Sequence, residues 1–215
     1  MSLSRIPAAK DKPLFTPGPL STSMTVKQAM LRDLGSRDFE FIQTVRQVRE
    51  KLLRLAGVSQ AMGCEALLLQ GSGTFGIEAV ITCAVPKEAG KWLFVINGAY
   101  GERMAHIADI HGIAHVDLKY PENTLPDIAE IDDNLRGDPS ITAVAVAHCE
   151  TTTGIINPIQ DIGDVVRKRG RTYFVDSMSA FGAVPFDFKA CRIDFLVSSS
   201  NKCIEGVPGF SFVIC

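Results

Sequence analysis

From residue 65 onward, short apolar runs alternate with stretches of helical periodicity. EALLLQ (65–70) precedes TFGIEAVITCAV, KWLFVI (91–96) precedes AYGERMAHIADIHG, HVDL (115–118) precedes PDIAEIDDNLRG, and ITAVAVAH (141–148) precedes IQDIGDVVRKRG. TYFVD (172–176), DFLVSS (194–199) and FSFVIC (210–215) complete the series. Alternation of this kind predicts an α/β fold with a mostly parallel sheet and helices on both faces. In such sheets ligands gather beyond the carboxyl ends of the strands. A further helix is expected over FIQTVRQVREKLLRLAG, 41–57, whose apolar residues at 41, 42, 45, 48, 52, 53 and 55 fall close to one stripe before Gly57 ends it.

Residues 1–23 are polar and carry Pro7, Pro13, Pro17 and Pro19, so they are expected to form an extended arm ahead of one domain spanning 24–215. The chain closes on FSFVIC with nothing polar after it. Final residues normally lie at the surface, so this ending leads to the expectation of a truncated domain.

Composition narrows the class. With 46% hydrophobic and 21% charged residues, the chain has the make-up of a globular domain with a sizeable core. Twenty-two basic against 24 acidic residues give no electrostatic reason to expect nucleic acid or an anionic membrane as partner. Small molecules or proteins are the expected partners. No apolar run is long enough for a bilayer and no apolar leader begins the chain, so the cytoplasm or an organelle matrix is the expected location. The six cysteines (64, 83, 149, 191, 203 and 215) form no CxxC pair and are expected to be reduced thiols, mostly in the core.

The residues just past each apolar run are small or polar, out of keeping with the strands they follow. GSGTFG (71–76) offers close-approaching backbone N–H groups, the Ser72 and Thr74 hydroxyls and a helix N-terminus, together an anion cup. The same segment satisfies GxGxxG, but the acidic residue that a nicotinamide dinucleotide site needs after the next strand is Asn97. A plain packing turn is the other reading. Asp176 ends TYFV, where a carboxylate is costly unless it meets a cation or several donors, and a protonated pyridinium nitrogen would be such a cation. Capping or an arginine partner would serve as well. Tyr100, flanked by glycines in NGAYGER, could lay its ring on a flat cofactor or simply pack.

Lys202, in SSSNKC after IDFLV, either snorkels to water or condenses with a carbonyl, most commonly that of pyridoxal phosphate (PLP). Taken jointly, the cup, ring, carboxylate and lysine on successive strand ends favour PLP held covalently on Lys202. His106, His111 and His115 share no face and are expected to be structural. His148 beside Cys149 allows a Cys–His pair or a bond to the cofactor, with a satisfied strand-end histidine favoured.

TPGPLSTSMTVKQAM, LLLQGSGTFGIEAV, NGAYGERM, HCETTTGIINPI, VDSMSAFGAVPFD and SSSNKCIEGVPGFSFVI resemble the class V, fold-type I PLP-dependent aminotransferases, from about residue 14 to the end. The similarity is greatest to the branch that transaminates 2-aminoethylphosphonate with pyruvate. Alanine:glyoxylate and serine:pyruvate enzymes are more distant. The resemblance implies Lys202 as the cofactor-bearing lysine and Asp176 as partner of the pyridine nitrogen. It also implies Ser72, Gly73 and Thr74 as phosphate ligands, Tyr100 over the ring, Thr151 near the ring hydroxyl and Asn201 beside the lysine. It further implies the large domain of a homodimer with the C-terminal small domain absent, an amino donor and a 2-oxo acid as substrates, and no metal. A non-catalytic truncated form is the competing expectation. Spacing alone places no basic residue against a phosphonate, so the choice of donor rests on the resemblance.

Overall fold

The computed structural model describes residues 13–86 and 90–215. Part of the expected arm, residues 1–12, lies outside the described residues; 13–23 carry no helix or strand. The first helix, α1, is Met24–Ala29, capped by the Ser23 side chain, which accepts from the Val26 N–H. After it come α2 (Phe39–Leu55), a 3-10 turn (Gln60–Met62), β1 (Ala66–Gln70), α3 (Gly73–Cys83), β2 (Lys91–Ile96), α4 (Ala99–His111) and β3 (His115–Lys119). Then follow α5 (Ile128–Gly137), β4 (Ile141–Ala147), α6 (Ile159–Lys168), β5 (Thr172–Asp176), β6 (Phe195–Ser199) and β7 (Phe210–Ile214).

The seven strands form one sheet in the order β1-β7-β6-β5-β4-β2-β3. Only β7 is reversed: it pairs antiparallel with both β1 and β6, while the other neighbouring pairs are parallel. The carboxyl ends of β1, β2, β4, β5 and β6 therefore share one edge with the start of β7.

Because side chains alternate across a strand, each inner strand feeds two cores. Leu93, Val95, Val144, Val146, Tyr173 and Val175 join Leu52, Leu53, Ile131, Leu135, Ile162 and Val166, so α2, α5 and α6 cover one face. Trp92, Phe94, Ala143, Ala145 and Phe174 join Ile77, Ile81, Met104 and Ala108, so α3 and α4 cover the other. Strands buried on both faces read as continuous apolar runs, which is why they stood out in the sequence. Trp92 and Phe94 stack at 5.8 Å between ring centroids, with Phe174 edge-on to Trp92 at 6.2 Å.

Two expectations need correction. The apolar stripe of α2 is not all core: Leu52 and Leu53 are buried, but Phe41, Ile42 and Leu55 are exposed. Only the end of the helix reaches β1. The cysteines are not mostly core either, since Cys64 and Cys191 are buried, Cys83 is exposed and Cys149, Cys203 and Cys215 are half-buried. All six are free thiols. No helix among the described residues is long and apolar enough to cross a membrane.

Candidate active site

The first wall grows out of β1. Gly71 turns the chain at φ 128°, a conformation that side chains disfavour, and Ser72 becomes the N-cap of α3. The Ser72 Oγ accepts the Phe75 N–H at 3.4 Å, which leaves its hydroxyl proton free to donate. The first-turn N–H groups of Gly73 and Thr74 have no intrahelical acceptor and point, with the positive end of the helix dipole, toward the strand ends. A Cβ at Gly73 would come within 2.5 Å of the Met178 thioether, so the turn lies close against the segment after β5.

The second wall follows β2. Asn97 is fully buried and trades side-chain bonds with Asn157 at 2.8 and 3.0 Å, while Asn157 also donates to the Ala147 carbonyl at 2.7 Å. This amide pair ties the end of β2 to the end of β4. Gly98 is the N-cap of α4 and has no side chain with which to cap it. The acceptor comes from Glu150, fully buried, whose Oε2 and Oε1 take the Tyr100 and Gly101 N–H groups at 3.2 and 2.9 Å. One turn on, the Arg103 guanidinium lies over the Tyr100 ring, 4.8 Å from its centroid.

The third wall comes from β5 and β6. By strand alternation Asp176 faces the α3/α4 side, as Phe174 does. It is 3% exposed, with Oδ1 accepting the Met178 N–H at 3.0 Å and Oδ2 without a hydrogen-bond partner among the described residues. Burial pushes its pKa from 3.8 up to about 7; the Met178 N–H pulls it down, nearby Glu150 pushes it up, and the Arg103 and Lys202 charges pull it down. Lys202 follows β6, and its Nζ donates to the Gly18 carbonyl at 3.5 Å.

These walls enclose a cleft of about 490 Å³ lined by Ser72, Gly73, Thr74, Tyr100, Asn201 and Lys202. The sequence-predicted residues thus converge, with Asp176 buried behind Met178. Thr151 follows the end of β4, and its hydroxyl shares a 2.6 Å hydrogen bond with that of Ser179. Arg103 and Met178 line the cleft although the sequence drew no attention to them. For Arg103 the usable signal was its place one helical turn after Tyr100. A groove of similar volume along α2, between Phe41, Ile42 and Arg46, carries none of the strand-end groups.

His148 faces the other way. It shares parity with Val144 and Val146, packs edge-on against Phe186 and bonds Ser177 Oγ through Nδ1 at 3.0 Å. Burial lowers its pKa to about 4 and raises that of the Cys149 thiol. With its ring bonded to Ser177 and packed on Phe186, on the opposite face from the cleft, His148 is placed as a satisfied strand-end histidine. His111 pairs with Glu78 at 2.7 Å, and His115 Nδ1 lies 3.0 Å from the Ile113 carbonyl.

Comparison with known proteins gives the family. The family model for aminotransferase class-V matches residues 21–215. The chain is 49% identical over 201 residues to the 2-aminoethylphosphonate–pyruvate transaminase of Syntrophobacter fumaroxidans, covering 94% of this chain and 53% of that protein. Among solved structures it resembles pyridoxamine-pyruvate aminotransferase from Mesorhizobium loti, with TM-score 0.85 and 27% identity over 95% of this chain and 51% of that one. It also resembles ureidoglycine-glyoxylate aminotransferase from Bacillus subtilis, with TM-score 0.86 and 25% identity over 95% and 52%. The chain spans about half the length of the relatives it matches. With a fold, a strand-end cleft and a family model that covers nearly all of its length, this chain belongs to the class-V aminotransferase family.

Proposed function

We propose that this chain forms the cofactor-binding part of a PLP-dependent aminotransferase that moves the amino group of 2-aminoethylphosphonate to pyruvate, giving phosphonoacetaldehyde and alanine. The observation that carries the reading is the unpartnered, buried Asp176 Oδ2 on the strand next to the one that delivers Lys202, beside a ready anion cup. Those residues fit PLP: a carboxylate for a pyridinium, an amine for an aldehyde, and hydroxyl and N–H donors for a phosphate.

When bound, PLP supplies an aldehyde that captures amines and a ring that withdraws electrons from the substrate carbon. Lys202 would hold the cofactor through its amine, and the same amine, once free, would be the group placed to carry a proton to and from the reacting carbon. Asp176 would keep the ring nitrogen protonated. Ser72, Gly73 and Thr74 would hold the phosphate, and Tyr100 would keep the ring level. Thr151 and Asn201 take the roles the resemblance gives them, near the ring hydroxyl and beside the lysine.

The identity of the donor rests on the similarity to proteins named for it. A panel of amino donors, each assayed with pyruvate for alanine and with glyoxylate for glycine, tests it: turnover of 2-aminoethylphosphonate with pyruvate is expected, and turnover confined to serine or to glyoxylate would overturn it. We assign residues 24–215 to the large domain of a homodimer. The exposed Phe39, Phe41 and Ile42 on α2 support self-association, to be read from the mass in solution. The half-length coverage of the relatives favours a second reading, in which this form binds PLP but does not turn over; the same panel run on the isolated chain decides between them.

A further inference from the structure

Glu150 plays no part in the chemistry proposed above, yet its carboxylate is fully buried. Burial of a carboxylate is costly unless donors meet it, and here the donors are the Tyr100 and Gly101 N–H groups at 3.2 and 2.9 Å. Both belong to the first turn of α4, whose own N-cap, Gly98, offers no side-chain acceptor. A Cβ on Gly98 would lie 2.6 Å from the Glu150 Cδ and Oε2, so the carboxylate occupies space that only glycine leaves open.

The carboxylate is itself well anchored. The Glu150 N–H donates to the Ile155 carbonyl at 3.0 Å, and the Glu150 carbonyl accepts the Gly154 N–H at 2.7 Å, closing the turn after β4. On the other side Asn97 and Asn157 lock the residue before Gly98 to the same region. The start of α4, and with it the Tyr100 ring on the cleft wall, is thereby referenced to β4 rather than to its own helix cap.

We propose that Glu150 is a positioning residue: through the gap at Gly98 it clamps the Tyr100 and Gly101 N–H groups and so sets the Tyr100 ring where a flat PLP ring lies against it. This rests on the cofactor reading, so the test has one arm that does not need the cofactor. In the full 215-residue chain without PLP, Glu150→Gln keeps the shape but replaces one acceptor oxygen by a donor. Hydrogen exchange at the Tyr100 and Gly101 amides is expected to accelerate at least about tenfold, with exchange in β4 and β5 unchanged. Gly98→Ala, which displaces an intact Glu150, is expected to do the same and serves if Glu150→Gln fails to fold.

The second arm titrates PLP and follows its bound absorbance and circular dichroism. Glu150→Gln is expected to weaken binding about tenfold and to reduce the dichroism of the bound ring at saturation, and neither effect persists in a Tyr100→Ala background. Unchanged amide exchange overturns the clamp, and a loss of PLP affinity equally large without Tyr100 overturns its action through that ring. A wild-type chain that takes up no PLP overturns the cofactor reading instead, while the exchange arm still decides whether Glu150 holds the turn.

Discussion

Asp176 and Lys202 leave neighbouring parallel strands, and Asp176 pairs in register with Val197, on the strand whose end leads to the lysine. The carboxylate is thereby fixed within the sheet, and the lysine sits in the turn that directly follows β6 at the same sheet edge. The two do not pair with each other: the lysine reaches the Gly18 carbonyl, and one carboxylate oxygen has no hydrogen-bond partner among the described residues. A site with that imbalance is stabilised by a ligand that is cationic toward the acid and electrophilic toward the amine.

Lys202→Ala is expected to abolish covalent cofactor retention. Borohydride treatment of PLP-loaded wild type should add the cofactor mass to the peptide containing Lys202, and the variant should show no adduct. Turnover, where present, should fall roughly 10²- to 10⁴-fold, the usual contribution of a proton-transferring group.

Asp176 sets a pH dependence on the ligand-free chain. Its folded pKa of about 7 lies above the ordinary 3.8, so the folded state favours the protonated form. Relative to a neutral residue, its contribution to stability is fully present below about pH 4 and is lost as pH rises to about 7. The full loss is on the order of 4 kcal/mol, because each tenfold difference in proton affinity between the folded and unfolded chain is worth about 1.4 kcal/mol. Urea denaturation of Asp176→Asn against wild type should show a gap that widens from pH 4 to pH 7 and then stays level; a constant gap would refute the assignment.

His148 gives the opposite slope. Burial holds its pKa near 4, below the 6.5 of the unfolded chain, so its contribution is present above pH 6.5 and is lost as pH falls toward 4. His148→Gln should flatten the acid side of the stability profile. Because the ring sits on the far face of the sheet, PLP affinity at pH 8 should be unchanged.

Gly71→Ala should cost roughly 1–3 kcal/mol of stability, since the backbone at φ 128° does not suit a side chain. The turn carries Ser72 into its capping position, so phosphate competition against PLP should weaken in parallel. Thermal melts and phosphate titrations of the same preparation check both.

The inner strands were legible because a sheet covered on both faces demands unbroken apolar runs, and KWLFVI, ITAVAVA and TYFV are buried almost throughout. Gly71, Ser72, Asp176 and Lys202 were legible because polar groups directly after such runs need a reason. The reversal of β7 was not, since an apolar run carries no direction. The stripe on α2 misled because amphipathic periodicity marks what is apolar, and not what covers it. His148 could be placed only by counting parity along a strand whose start the sequence does not fix. The link from Glu150 to Tyr100 joins positions fifty apart, and its sole local trace is a helix that begins on a glycine without a cap.

The reversed last strand has a practical corollary. β7 starts beside Gly209 at the cleft and runs away from it, so Cys215 lies at the opposite rim, where its N–H and carbonyl exchange bonds of 2.9 and 2.7 Å with Glu65. Whatever is carried after Cys215 therefore leaves the sheet at the rim away from Lys202, and would have to double back along the strands to touch the mouth of the site.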